Sequence, residues 1–327
     1  MKIKINELEK LITKVLLTKY SKKEANLIKE VVLFGELSGR PSHGILRLLK
    51  ENYGVFTDTI QGEPEYSRKT KVSTLIDGKG NAGMLVGSLA MQEVIQLGKE
   101  NGIGIVGTKG SINSTGSLSY YCEKIAKKNL ITVIFTHCMP MMAPFSSKKA
   151  LFGTNPLAFG IPSAPHPIIF DMSTSAITFG AIAKLKAEGK ELPPDVAIDT
   201  EGNITRDASK AIEGATLAFD NSYKGSGLAM MVEILAAVWT GATFAGVNKE
   251  DGWGNVYMAF SPDLLSDVDT FKEKTQQLVG VLKQTPTRDN TMIRLPGENT
   301  IQVRDKNLAK GEIEINATVY KQIQDRL

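Results

Sequence analysis

His43 and Arg47 place an imidazole and a guanidinium four residues apart, behind Pro41 and Ser42. The spacing predicts one face of a helix running from His43 to about Tyr53, with Ser42 as N-cap. In the first turn of such a helix, the positive dipole end biases His43 toward the neutral form, suited to exchanging a proton near neutrality. The guanidinium can fork onto a carboxylate while the imidazole trades a proton with the adjacent oxygen. That chemistry suits a small 2-oxo or 2-hydroxy acid. The alternative is a capped surface helix with an incidental histidine.

A second set lies between Phe152 and Ser175. Leu157 to Ile161 and Ile168 to Phe170 read as short strands around a turn rich in breakers, Pro162 to Pro167. The chain then turns polar at Asp171, Ser173, Thr174 and Ser175, before a helix predicted over Ala176 to Glu188. Hydroxyls at a strand-to-helix junction offer a seat for a phosphate; a plain N-cap is the alternative. The hairpin would bring the small polar loop Gly153 to Pro156, with Thr154 and Asn155, beside that junction. Lys224, in a glycine-flanked turn, could supply the cation that a phosphate needs.

The elements that must hold these residues follow from periodicity. Ile5 to Leu17 and Lys22 to Leu37 are predicted amphipathic helices. Strands at Val72 to Ile76, Gly102 to Val106 and Ile131 to Thr136 alternate with helices at Ala82 to Asn101 and Ser117 to Lys128, an α/β pattern. Residues 199–207 predict an exposed hairpin or lid. Ser226 to Gly241 is predicted as a buried helix, because Glu233 is almost its only charge. A strand is expected at Gly254 to Ser261 and a helix at Pro262 to Lys283; Ile313 to Gln324 is either a strand or a helix.

Composition narrows the class. The 327 residues are 42% hydrophobic and 23% charged, an ordinary globular balance with room for two domains. The net charge of +4 is spread without a basic run, so no nucleic-acid partner is expected. No apolar run approaches a membrane span. Two distant cysteines, Cys122 and Cys138, and three histidines argue against a Cys/His metal site. With no apolar leader, the expectation is a cytoplasmic chain with reduced thiols. Gly102, Gly104 and Gly107 spell GxGxxG, but the motif follows a predicted helix and is itself the strand, the reverse of a dinucleotide fingerprint.

Several segments in one order carry a resemblance: SHGILR at 42–47, STG with SYY at 114–121, FGTNPLAFGIP at 152–162, FDMSTS at 170–175, YKGSGLAMMVEIL at 223–235 and RLPGE at 294–298. They resemble the malate/L-lactate dehydrogenase family that lacks the Rossmann fold, which includes ureidoglycolate and sulfolactate dehydrogenases, diketogulonate reductase and cyclic imino-acid reductases. The resemblance runs over most of the chain. It implies an α/β fold with a non-Rossmann mixed sheet and flanking helices. A helical substrate and dimer domain over 1–70, with 262–327 packing on it, would accompany a cofactor-binding domain over 71–261. It also implies NAD or NADP, a small carboxylic acid substrate, and hydride transfer at C2 of a 2-oxo or 2-hydroxy acid. The alternatives are a cyclic imino-acid reductase and a cofactor-binding protein without turnover.

By the same resemblance His43 matches the proton donor or acceptor, and Arg47 a ligand of the substrate carboxylate. Cofactor positions would be His137, Cys138, Thr154, Asn155, Asp171, Met172, Ser173, Thr174 and Lys224, with Pro296, Gly297 and Glu298 in a loop that closes on the cofactor. Ser114 stands where some members have a catalytic histidine, and His137-Cys138 where Asn-Ser is frequent. These departures line the expected substrate side. A homodimer is expected from the resemblance, from the uncharged 226–241 helix and from N-terminal amphipathic helices that need a partner surface.

Overall fold

The strand at the centre of the sheet comes from late in the chain, and this draws distant segments around one site. The computed structural model describes all residues except 51–52, 57–61, 248–251 and 290. The chain opens with β1 (Lys2–Lys4), α1 (Ile5–Leu16) and α2 (Lys22–Leu37), then two 3-10 turns, Pro41–His43 and Ile45–Leu48. There follow β2 (Glu65–Thr70), β3 (Ser73–Asp77), α3 (Gly83–Asn101), β4 (Ile103–Ser111), α4 (Leu118–Ala126), β5 (Ile131–Thr136), β6 (Leu157–Ile161) and β7 (Ile168–Met172). A small lobe holds α5 (Phe179–Ala187), β8 (Ala197–Ile198), α6 (Ala208–Glu213) and β9 (Ala215–Thr216). Then come α7 (Tyr223–Glu233), β10 (Trp253–Phe260), α8 (Val268–Gln284), α9 (Glu298–Lys310), β11 (Glu312–Glu314) and α10 (Ala317–Gln324).

The main sheet runs β2-β3-β4-β10-β5-β6-β7. β3 and β4 are parallel; every other neighbouring pair is antiparallel. This mixed order is not a doubly wound dinucleotide fold. The GxGxxG stretch enters strand β4 from Ile103, as its apolar spacers indicate, with Gly102 capping α3. Gly104 lets α3 press onto it: a Cβ there would lie 2.8 Å from Leu97 Cβ and from Val94 O.

Alternation sets the two faces of the sheet. Ile134, Ala158, Tyr257 and Ala259 join a core continuous with α1, α2, α3 and α4. Phe135, Leu157 and Phe159 face the other way, against Val232 and Ala236 of α7 and the π turn that continues it, Ile234–Val238. α1 buries Leu8, Ile12, Val15 and Leu16, one helical stripe. α2 opens on a capping box, Ser21 Oγ accepting from Glu24 N and Glu24 Oε2 from Ser21 N. The termini close on each other: β1 pairs with β11, and α9 and α10 pack on α2 and α1. The apolar faces of the N-terminal helices are therefore covered within the chain, and need no second copy.

Several expected elements differ. Residues 43–53 do not form one α-helix; Gly44, with φ −97° and ψ −138°, breaks the helix between two 3-10 turns, and 51–52 lie outside the described residues. The helix expected from Ala176 starts at Phe179, capped by Thr178, so Ser173 and Thr174 do not sit on a helix end. The helix expected from Ser226 starts at Tyr223, which puts Lys224 in its first turn. It is not buried all round, for Met230, Met231, Ile234, Val238 and Trp239 are exposed. Pro262–Leu264 is a separate 3-10 turn before α8, and the last segment is strand β11 followed by helix α10.

Candidate active site

α2 ends where the chain must turn back over it. Gly35 gives the clearance: a Cβ there would meet His43 O at 2.4 Å. The next residue, Glu36, is buried and accepts the Ile45 N–H at 2.8 Å, pinning the turn that carries His43 and Arg47. Burial pushes the Glu36 carboxyl up to about 7. Arg47 Nε donates to Ser42 O at 2.7 Å and closes the loop on itself. Ser42 Oγ and His43 Nδ1 are 3.1 Å apart, so Ser42 serves the imidazole rather than a helix.

These residues line a cavity of about 200 Å³. His43 is held down to about 3 by burial, then by the charges of Arg47 and Arg40. Desolvation and two guanidinium groups, not a helix dipole, favour its neutral form. Burial lowers Arg47 from its ordinary value; arginine remains a cation in proteins.

The facing walls come from three strand ends. Ser114 to Leu118 follow β4, Thr136 and Cys138 follow β5, and Asp171 to Ser173 end β7. Ser114 Oγ accepts from Gly116 N at 3.1 Å. Asp171 Oδ2 accepts from Ser119 N (3.0 Å) and Ser119 Oγ (2.7 Å), so this carboxylate caps α4. Cys138 Sγ lies 3.7 Å from Thr154 Oγ1, and burial raises its thiol above the usual range. Tyr53 and Trp253, both lining the cavity, have ring centroids 5.8 Å apart.

The two polar loops do converge. Thr174 N, Thr174 Oγ1 and Ser173 Oγ all donate to Thr154 O, at 3.0, 3.0 and 3.1 Å. Phe219 N donates to Thr174 O, which leads the chain directly into α7. Among the expected site residues, His43, Arg47, Ser114, Cys138, Thr154, Asp171, Met172 and Ser173 line the cavity. His137, Asn155 and Thr174 are fully buried behind its wall. There Glu233 accepts from Asn155 Nδ2 (2.8 Å) and Ala245 N (2.7 Å), and lies 3.5 Å from His137 Nε2. Burial holds His137 down to about 4, outweighing this long contact. Lys224, Pro296, Gly297 and Glu298 do not line the cavity. Lys224 is exposed at the start of α7, and Glu298 is engaged by Lys283 Nζ at 2.7 Å.

Arg40, Ser117, Tyr53, Thr136, Phe179 and Trp253 line the cavity without having stood out in the sequence. Ser117 Oγ and Thr136 Oγ1 are buried there and lack a hydrogen-bond partner among the described residues. Such orphans call for a polar ligand group, and a carboxamide or ribose hydroxyl fits them. The residues present therefore suit a nicotinamide cofactor.

Comparison with known proteins agrees with this chemistry. The model of the malate/L-lactate dehydrogenase family matches residues 3–324. L-sulfolactate dehydrogenase of Methanocaldococcus jannaschii is 30% identical, over 92% of this chain and 89% of its own length. 2,3-Diketo-L-gulonate reductase of Citrobacter koseri is 29% identical, over 99% of both chains. The solved structure of Δ1-piperideine-2-carboxylate reductase from Pseudomonas syringae superposes with a TM-score of 0.86 at 26% identity, covering 100% of each chain.

Proposed function

The chain belongs to the malate/L-lactate dehydrogenase family, and from that premise we propose that His43 and Arg47 carry the reaction of a small 2-oxo or 2-hydroxy acid with NAD or NADP. Members of the family are dehydrogenases and reductases of such acids, and the chain is an oxidoreductase of this kind. A bound nicotinamide supplies or accepts the hydride at C2. Arg47 forks onto the C1 carboxylate and His43 moves the proton at the C2 oxygen. Ser117, Thr136, Thr154 and Ser173 hold the cofactor's polar groups. The observation that carries the reading is that His43 and Arg47 share one cavity with Ser117 and Thr136, whose buried hydroxyls lack a partner among the described residues.

Reduced NAD and NADP offered with a panel of 2-oxo acids and cyclic imines test the proposal. Turnover of at least one 2-oxo acid is expected; turnover of cyclic imines alone overturns the 2-oxo acid reading. Arg47→Lys should raise the substrate KM about tenfold or more with little change in cofactor affinity, because a point charge cannot fork onto a carboxylate. A loss confined to cofactor binding would move Arg47 to the other ligand.

We also propose a homodimer and a cytoplasmic setting. Met230, Met231, Ile234, Val238 and Trp239 make an exposed apolar patch of the kind that a partner covers. Both cysteines are free, which suits a reducing compartment. Among the described residues no helix is long and apolar enough to cross a membrane. Light scattering at micromolar concentration should give a dimer, and Ile234→Asp a monomer. A monomeric parent protein would refute the assignment.

A further inference from the structure

Arg47 is not the only guanidinium in the cavity. Arg40, from the loop leaving α2, lines the same space. Its backbone N–H is fixed to Gly35 O at 2.9 Å, so its position is set by the end of α2. Among the described residues its side chain has one hydrogen-bond partner, Thr300 Oγ1 of α9, at 3.3 Å from Nη2, and no ion-pair partner. Arginine has five N–H donors, so most of its fork is unspent. Arg40 is half-buried, where an unpaired cation is costly.

The anions of the cavity do not answer it. Among the described residues Asp171 is the one carboxylate that lines the cavity, and its Oδ2 is committed to the start of α4. His43 is neutral there and adds no negative charge. Among the described residues, then, Arg40 lines the cavity with no carboxylate of its own. A substrate with a single carboxylate occupies one fork, that of Arg47, and leaves the other unanswered.

We propose that Arg40 is a specificity-determining residue that binds a second anionic group of the substrate, so that the enzyme selects dianionic 2-oxo and 2-hydroxy acids over monocarboxylates and cyclic imino acids. The proposal rests on the 2-oxo acid reading of the site. Arg47 takes the carboxylate next to the reacting carbon, and Arg40 takes the carboxylate or sulfonate at the far end. The Thr300 contact would then aim the guanidinium from behind, leaving the rest of the fork to the ligand.

The test compares oxaloacetate with 2-oxobutanoate, which have the same carbon count and differ in the far carboxylate. The wild-type protein should favour oxaloacetate in kcat/KM by about 10- to 100-fold, the usual range for a charge-assisted hydrogen-bonded contact. Arg40→Gln should remove most of that preference, chiefly through KM, and Arg40→Lys should restore part of it. Thr300→Val, which removes the aiming bond and leaves the cation, should weaken the preference without abolishing it. Calorimetry with malonate and acetate, without cofactor, reads the same charge independently of turnover: Arg40→Gln should lose malonate binding. Equal losses for both 2-oxo acids, no wild-type preference, or unchanged malonate binding each overturn the proposal. So does an Arg40→Gln variant whose only defect is weaker NADPH binding, which would give Arg40 to the cofactor. Malonate binding that depends on Arg40, with no 2-oxo acid turned over by either cofactor, would uphold the anion site and refute the redox reading.

Discussion

Turnover by His43→Ala is expected to fall by about two to four orders of magnitude while reduced cofactor still binds, the usual scale for one general acid or base. No other imidazole lines the cavity: His137 is buried behind the wall, and His166 belongs to the β6–β7 turn. Steady-state turnover beside a nicotinamide fluorescence titration separates the two effects, and near-parental turnover would sink the assignment. The same residue also marks stability. His43 is held at about 3 in the folded chain, against 6.5 for the free group. As pH falls the unfolded chain takes the proton first, so stability present above about 6.5 is lost between 6.5 and about 3. From pH 6.5 to 4 this amounts to at most about 3 kcal/mol. His43→Gln, which does not titrate, should flatten the acid limb of a Tm–pH curve. Identical slopes for the two proteins would show that the imidazole is not held neutral by its surroundings.

Gly35→Ala should harm both folding and catalysis. The added Cβ would fall 2.4 Å from His43 O, 2.6 Å from His43 C and 2.9 Å from Gly44 N. These are backbone atoms and cannot rotate aside. Gly44 mirrors the arrangement, since a Cβ there would lie 2.3 Å from Glu36 Oε1. Helix and loop therefore interlock through one glycine on each side. The expected cost is about 1–3 kcal/mol or more of stability, as for other overpacked positions. Displacing the imidazole by about 1 Å should lower kcat by roughly 10²-fold. Gly280→Ala in α8, where an added Cβ meets nothing within 4 Å, is the control and should be neutral or stabilising. Denaturant unfolding and turnover of the two variants decide the matter; if Gly35→Ala behaves like the control, the loop does not rest on α2 as described.

Much of the candidate site is legible in the sequence because it lies in short local patterns. His43 and Arg47 are near in sequence, and the 153–156 loop and the 171–175 junction are linked by one hairpin. Their local conformation was harder to read. The PSHG stretch has the residues of a helix start, yet Gly44 and the contact with Gly35 favour two tight turns, a tertiary effect that no local propensity carries. Arg40 resembles any surface arginine until Thr300, far along the chain, is placed beside it. Trp253 falls just before the strand expected from Gly254, and only the pairing of β10 with β4 brings it to Tyr53. β2 carries no sequence signal, because EYSRKT is exposed along its whole length and so shows no alternation. α9 carries little signal either, because only Thr300 of its thirteen residues is buried.

The position of β10 has a bearing on how the molecule is made. β4 and β5 are complete by Thr136, yet the strand that lies between them begins only at Trp253. On a ribosome the two must wait with bare edges while the hairpin, the small lobe and α7 are synthesised. Open edges of this kind invite pairing with other chains, and closing so long a loop makes the sheet a late, slow event. Trp253, one of the residues that line the cavity, arrives only then. An N-terminal fragment ending before β10 would thus be a sticky intermediate rather than a smaller working domain, and any delay in synthesis between Thr136 and Trp253 lengthens the time for which the chain depends on chaperones.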